Sequence, residues 1–183
     1  MTLQNFSTWC HRASISLHWL MLALFTAVYA SIELRVLFAK GTELRETMKS
    51  LHFMLGLLIF FLVWLRLLVR AQFPAPRIEP APPQWQQTTA RLVHGLLYAL
   101  MIGMPLAGWL MLSASGKPIP FFGLALPALI GKNKELAAQI KEVHELAGTV
   151  GYFLIGAHAA AALFHHYIKR DSTLLAMLPK TSA

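Results

Sequence analysis

Four histidines in apolar segments stand at spacings that suit paired coordination of a metal. His144 and His158 lie 14 residues apart in one apolar stretch. On a helix, this spacing places them within about 40° of one face and roughly 21 Å apart along the axis. His18 and His52 lie in two other apolar stretches. Because imidazole is a common metal ligand and ionisable groups are costly inside membrane spans, each histidine is a functional candidate.

The segments that carry these histidines are long enough to cross a bilayer, which takes about 20 mainly apolar residues. There are four such segments, at residues 14–32, 51–69, 92–115 and 146–168. Modest connections between them favour an up-down-up-down arrangement. The sequence predicts an all-α integral membrane protein, a four-transmembrane-helix up-down bundle that forms one domain over residues 1–183.

The composition supports lipid as the solvent. Of 183 residues, 56% are hydrophobic and 13% are charged, about half the charged share of a soluble domain. The net charge of +8 comes from basic residues at span ends, where snorkelling and anionic headgroups explain them. We therefore expect a lipid bilayer as the partner of this surface, and no nucleic acid.

Depth in the bundle pairs the histidines. His18 lies near the start of the first span, level with His158 in the fourth. The second span runs back, so His52 lies level with His144. Each pair can hold one haem iron from both sides, which leaves no open coordination position and suits electron transfer. The bundle is therefore predicted to enclose two b-type haems, and they are non-covalent because Cys10 is the single cysteine.

Several assignments stay open at this point. His94, at the start of the third span, competes with His158 as a ligand at the level of His18. His165 continues the His158 stripe and can hydrogen-bond a quinone carbonyl, or it is an interfacial histidine that snorkels. Gly56 and Gly148 each follow a candidate ligand by four residues. They make room for a flat macrocycle, or they mediate ordinary helix packing.

Basic residues do not fix the orientation, because each side of the bundle carries eight. Only Glu79 and Asp171 lie on the side of the termini, against six glutamates opposite. This favours both termini in the cytoplasm. The connection over residues 116–131 holds three prolines and is predicted to be a loop near the interface.

The segments around the histidines resemble the bacterial cytochrome b561 family, and specifically its superoxide oxidase branch. The similarity covers nearly the whole chain and is densest from residue 141 through Asp171. It includes Ser16-Leu-His-Trp in the first span, Leu51-His-Phe-Met-Leu-Gly in the second and Arg66-Leu-Leu-Val-Arg near the end of the second.

The resemblance implies a protein of the bacterial inner membrane that oxidises superoxide to oxygen. It implies that His18 and His158 ligate one haem and that His52 and His144 ligate the other. It also implies that the electrons reach ubiquinone, with His165 near the quinone.

Basic residues complete the predicted sites at both ends. Arg66 and Arg70 are predicted to lie with His165 around the quinone. Lys49 and Lys141 each precede a predicted ligand of the outer haem by three residues, about one turn outward. They are candidates for guiding the superoxide anion, or they are snorkelling lysines at span ends.

Two other functions compete with a stand-alone oxidase. A haem-bearing membrane anchor would pass electrons between a partner dehydrogenase or hydrogenase and quinone, using the same ligands. A non-redox scaffold or transporter would leave the paired histidine depths unexplained. Copurification with a soluble redox subunit distinguishes the anchor from the oxidase.

Overall fold

Four long helices make up most of the structure. The computed structural model describes residues 3–73 and 76–178. The helices are α1 (Leu3–Leu34), α2 (Glu43–Gln72), α3 (Gln84–Ser115) and α4 (Lys134–Phe164). Each contains a stretch long and apolar enough to cross a membrane, which confirms the predicted four-span bundle. The ends of the predicted 1–183 domain and the side chain of Cys10 lie outside the described residues.

The helices extend past the apolar segments at their polar ends. α2 has 30 residues and α4 has 31, so each is about 45 Å long, close to the full thickness of a bilayer. α4 begins after Asn133, whose side chain accepts a hydrogen bond from the Leu136 N–H at 3.0 Å and so caps the helix. His144 therefore lies well inside a helix, although the predicted apolar segment begins only at residue 146.

Consecutive helices pack side by side, whereas α1 and α4 face each other across a wider gap. The backbones approach most closely between α1 and α2, α2 and α3, and α3 and α4. Side chains cross the remaining gap. The Tyr29 hydroxyl donates to the Gly148 carbonyl at 3.0 Å, and the Tyr29 ring packs 4.2 Å from the Tyr152 ring. Histidines of α1 and α2 meet those of α4 along this gap.

One cluster of the apolar core lies midway along the bundle. Its buried members are Met21, Leu24, Ile59, Val63 and Met101. Along α1 and α2 they fall between the levels of His18 and His52. Many other large apolar side chains point outwards, such as Phe153, which is 76% exposed. This distribution is expected where lipid replaces water as the solvent.

Short elements close the two ends of the bundle. At the end where α3 leads to α4, strands β1 (Ile119–Phe121) and β2 (Leu124–Leu126) form an antiparallel hairpin, with Ile119 buried against α2 and α3. We call this the hairpin end. At the opposite terminal end, the Ser172 N–H donates to the Glu79 carbonyl at 2.9 Å. This bond ties the C-terminal segment to the α2–α3 connection.

Candidate functional site

At the hairpin end, two histidine rings face each other at the spacing of metal ligands. The ring centres of His52 and His144 lie 6.2 Å apart, and their planes meet at 71°. An imidazole nitrogen lies about 2 Å from a bound metal, so two rings on opposite sides of one ion stand roughly 6 Å apart between centres. The observed spacing fits axial coordination of one metal by both rings.

Hydrogen bonding sets the tautomer of one of these rings. Nδ1 of His52 lies 3.1 Å from the carbonyl oxygen of Val28. Because a carbonyl only accepts, Nδ1 carries the hydrogen and Nε2 presents a free lone pair. Nδ1 of His144 is buried, and the Met104 carbonyl approaches it without reaching hydrogen-bond geometry. α1 therefore orients His52, while His144 has no such bond in the described part of the chain.

A cavity of about 680 Å³ lies beside this pair, lined by all four helices. His52 and His144 border it, together with Gly56, Gly108 and Gly148. No atom lies within 4 Å of the position that a Cβ on Gly56 would take. The cavity, the facing imidazoles and the small residues fit a flat macrocycle such as haem, whose four ring nitrogens would complete the coordination of an iron.

A second pair with the same spacing lies at the terminal end. The ring centres of His18 and His158 are 6.2 Å apart, and their planes meet at 75°. His94 packs beside His158 with 5.3 Å between ring centres, which is shorter than the spacing across a shared metal. The geometry therefore favours His18 with His158 as the pair at this end.

Arg66 holds the ring of His18 from α2. Its Nη1 donates to the Ser14 carbonyl and its Nη2 to Nδ1 of His18, both at 3.2 Å. Because a guanidinium only donates, Nδ1 accepts and the neutral ring carries its hydrogen on Nε2. Coordination of a metal through Nε2 would move that hydrogen to Nδ1 and release the bond from Arg66. The two pairs thus share a spacing but differ in tautomer.

His165 lies at the start of a π-helical turn, His165–Lys169, which ends the fourth helix. Its Nδ1 bonds the Asp171 carboxylate at 2.5 Å. Asp171 is 5% exposed, and its other oxygen accepts from the Thr173 N–H at 2.9 Å. A carboxylate in this position fixes the imidazole orientation and leaves Nε2 free to face a ligand. π-turns inside helices often mark functional sites.

The Asp171 carboxyl favours its ionised form. Burial raises its pKa, but hydrogen bonds from His165 and Thr173 outweigh burial and hold the pKa below its usual value. The carboxylate is therefore charged at neutral pH and accepts the hydrogen bond from His165 as an anion.

The two predicted lysines lie in different surroundings. Lys141 lines the cavity at the hairpin end and pairs with Glu145 at 3.1 Å. Lys49 pairs with Glu46 at 2.5 Å and is not among the described residues that line the cavity. Both ammonium groups are thus partly neutralised by a carboxylate one turn away.

The two predicted arginines lie among the histidines of the terminal end. Arg66 is within electrostatic reach of His158, and Arg70 is within reach of His94. Among the described side chains, neither arginine contacts His165. The structure therefore groups Arg66 and Arg70 with the terminal histidine pair, and it gives His165 a carboxylate partner.

Two residues of these sites were not assigned a role from the sequence. Asp171 follows the fourth span. The sequence shows only that it is an acidic residue six positions after His165. Arg35 lines the cavity at the hairpin end and directly follows the first helix, where a basic residue is ordinarily taken as a span-end anchor.

Comparison with known proteins agrees with this geometry. A family model described as prokaryotic cytochrome b561 matches residues 10–180. Cytochrome b561 homolog 1 of Escherichia coli (strain K12) is 40% identical over 169 residues, which cover 92% of this chain and 96% of that protein. The probable superoxide oxidase CybB of Yersinia pestis is 38% identical over 166 residues, covering 91% and 93%. This similarity covers nearly the full length and agrees with the four membrane-spanning helices and the facing histidines. The chain therefore belongs to the prokaryotic cytochrome b561 family of multi-pass membrane proteins, which bind b-type haem and transfer electrons.

Proposed function

We propose that the chain is a di-haem superoxide oxidase of the bacterial inner membrane, formed as one domain over residues 1–183. Both termini lie in the cytoplasm, so the hairpin end faces outwards. Two superoxide anions each release one electron and leave as oxygen. Ubiquinone takes up these two electrons and two protons to become ubiquinol. The observation that carries the proposal is the 6.2 Å spacing of two histidine pairs at opposite ends of one bundle.

The four paired histidines would hold the two haems. His52 and His144 would bind the outer one, and His18 and His158 the inner one. A bound haem b supplies an iron that gains and loses one electron reversibly. With two histidines holding the iron, a donor would need only to enter the cavity and approach the edge of the macrocycle.

The mouth of the cavity carries more positive than negative charge. Its charged lining consists of Arg35, Lys117, Lys134, Lys141, Glu33 and Glu145. A basic excess raises the local concentration of a small anion, and salt weakens the effect. We propose that two lysines at this end of the bundle contribute to this attraction: Lys141, which lines the cavity, and Lys49. The glutamates paired with them reduce their contribution.

Quinone reduction is proposed at the terminal end, beside His165. Nε2 of His165 would donate to a quinone carbonyl, and the buried Asp171 carboxylate would stabilise the protonated ring. Water at the cytoplasmic surface would return the proton. Arg66 and Arg70 add positive charge near the terminal histidine pair, which favours the arrival of electrons at this end.

Stopped-flow mixing of the oxidised holoprotein with superoxide tests the proposal. The haem spectrum should change to the reduced form, and added ubiquinone should restore the oxidised form. Haems that stay oxidised with superoxide, but are reduced by a copurifying dehydrogenase or hydrogenase, would support the membrane-anchor function instead.

A further inference from the structure

One half-buried guanidinium in the cavity at the hairpin end has a buried Nε without a partner in the described part of the chain. Arg35 begins a short 3₁₀ turn, Arg35–Leu37, that follows α1, and its side chain lines the cavity. Its Nε is buried and makes no hydrogen bond to any described residue. A buried charged donor without an acceptor is unfavourable by an amount comparable to several hydrogen bonds. An anion beside this Nε would supply the missing acceptor.

The backbone that carries Arg35 is held in place by another arginine. Nη1 of Arg45 donates to the carbonyl of Arg35 at 3.2 Å and to the carbonyl of Phe38 at 2.8 Å. These bonds fix the turn without using the Arg35 side chain. The backbone from which the guanidinium extends is thus fixed beside the cavity, as expected of a residue that supports a binding site.

Arg35 lies outward of the histidine pair at the hairpin end. The Val28 carbonyl, which orients His52, precedes Arg35 by seven residues, or about 10 Å along the helix. Arg35 is also within electrostatic reach of His52. A haem between His52 and His144 has two propionate carboxylates on one edge, and the basic mouth of the cavity is the favourable side for that edge.

The lysines of the same cavity are chemically different. Lys134 is exposed, and Lys141 bonds Glu145. An exposed ammonium attracts any anion weakly, whereas a planar guanidinium inside a cavity matches the two oxygens of a carboxylate held in one place. Burial, fixation and geometry therefore single out Arg35 among the cations of the cavity.

We propose that Arg35 binds a propionate carboxylate of the haem held by His52 and His144. This inference rests on the proposed outer haem site. Superoxide is also an anion, so the experiment has to separate a carboxylate of the cofactor from a diffusible anion.

Three variants of the holoprotein distinguish a haem propionate from superoxide as the anion that Arg35 binds. Arg35→Gln removes the charge, Arg35→Lys keeps it without the planar donor, and Lys134→Gln removes one charge from the same cavity as the matched control. We expect Arg35→Gln to lose haem roughly tenfold faster than the unmodified protein. Its haem potential should also fall, because loss of a positive charge favours the ferric state. Arg35→Lys should lose haem faster than the unmodified protein, with a smaller change in haem potential than Arg35→Gln. Lys134→Gln should lose haem at the rate of the unmodified protein.

Infrared difference spectra of haem labelled with ¹³C at the propionate carboxyls give a readout that does not depend on activity. The labelled carboxylate band should shift in Arg35→Gln and stay in place in Lys134→Gln. If the rate of haem loss, the haem potential and the labelled carboxylate band are unchanged in both Arg35 variants, the proposal is overturned. If only superoxide-dependent reduction slows, Arg35 binds the diffusible anion and the proposal is also overturned. A His52→Ala variant that keeps both haems would instead refute the outer haem site itself.

Discussion

The two ends of the bundle hold histidine pairs of equal spacing in different surroundings. At the hairpin end, His52 donates to a backbone carbonyl, and the pair opens onto a cavity with a basic mouth. At the terminal end, His18 accepts from Arg66, and His94 packs against His158. The 6.2 Å spacing of the rings is what two ligands of one cofactor require. The residues around each pair would determine which molecules react at that end. In the proposed function, the cavity at the hairpin end would admit a small electron donor, and the terminal end would supply the groups that a proton-consuming reaction needs.

Removing one ligand at either end should produce the largest effect. His52→Ala and His144→Ala should each lose the same haem, while His18→Ala and His158→Ala should each lose the other. In every case the haem content should fall from two per chain to about one, because a single remaining histidine holds haem weakly. Pyridine haemochrome analysis against protein concentration measures this ratio.

His94→Ala is the matched control for the terminal pair, because this histidine touches His158 without sharing its spacing. It should keep both haems. If His94→Ala loses a haem while His158→Ala keeps two, His94 is the ligand at the terminal end and the assignment of His158 is wrong.

The next largest effect should come from separating the His165–Asp171 pair. His165→Ala and Asp171→Asn should slow haem reoxidation by ubiquinone by roughly 100-fold or more, the usual contribution of a positioned acid or base. Haem spectra should not change. Asp171→Asn should also alter the pH dependence of reoxidation, because the amide cannot stabilise a proton on the ring.

His166→Ala is the control for this pair, since it removes the adjacent histidine and leaves the bond to Asp171 in place. Reoxidation should proceed at the normal rate. If the Asp171→Asn protein also reoxidises normally and with an unchanged pH profile, His165 takes no part in quinone reduction.

A smaller effect is expected on stability. The folded pKa of Asp171 is lowered, so its contribution to folding is fully present above the unfolded pKa and is lost as pH falls through the folded pKa. Asp171→Asn should lower the Tm by roughly 2–4 °C at pH 7, and the difference should shrink below about pH 4. Thermal melts of both proteins across this pH range test it, and a constant difference would contradict the assignment.

The smallest effect should come from the paired lysines. Lys49→Gln with Lys141→Gln should slow superoxide-dependent haem reduction by roughly two- to threefold at low salt, with no difference at high salt. Each ammonium already bonds a glutamate, which limits its field. Stopped-flow reduction rates over a range of ionic strength test this. A slower rate that persists at high salt would indicate that the lysines contact superoxide directly.

Helix periodicity explains why the histidine levels could be predicted from the sequence. The distance between His144 and His158 follows from the rise per residue, and alternating spans place His18 and His52 at matching depths. The pairing of Asp171 with His165 could not be predicted in this way, because a π-helical turn and a left-handed residue, Arg170, lie between them. The prolines of residues 116–131 indicated a loop, yet pairing of Ile119 with Leu126 forms a hairpin. Arg35 looked like one cation among several on its side, because only the folded structure shows that its Nε is buried and unpaired.

The apolar cluster between the two histidine pairs has an electrical consequence. The cluster of Met21, Leu24, Ile59, Val63 and Met101 is apolar. Electrons can cross such a layer by tunnelling, whereas these five side chains cannot relay protons. In the proposed orientation, each electron moves inward through about 21 Å of a hydrocarbon layer about 30 Å thick. With a membrane potential of 100 mV, negative inside, that displacement opposes the field by roughly 1.5 kcal/mol per electron. Turnover would therefore charge the membrane, and a charged membrane would in turn slow the enzyme.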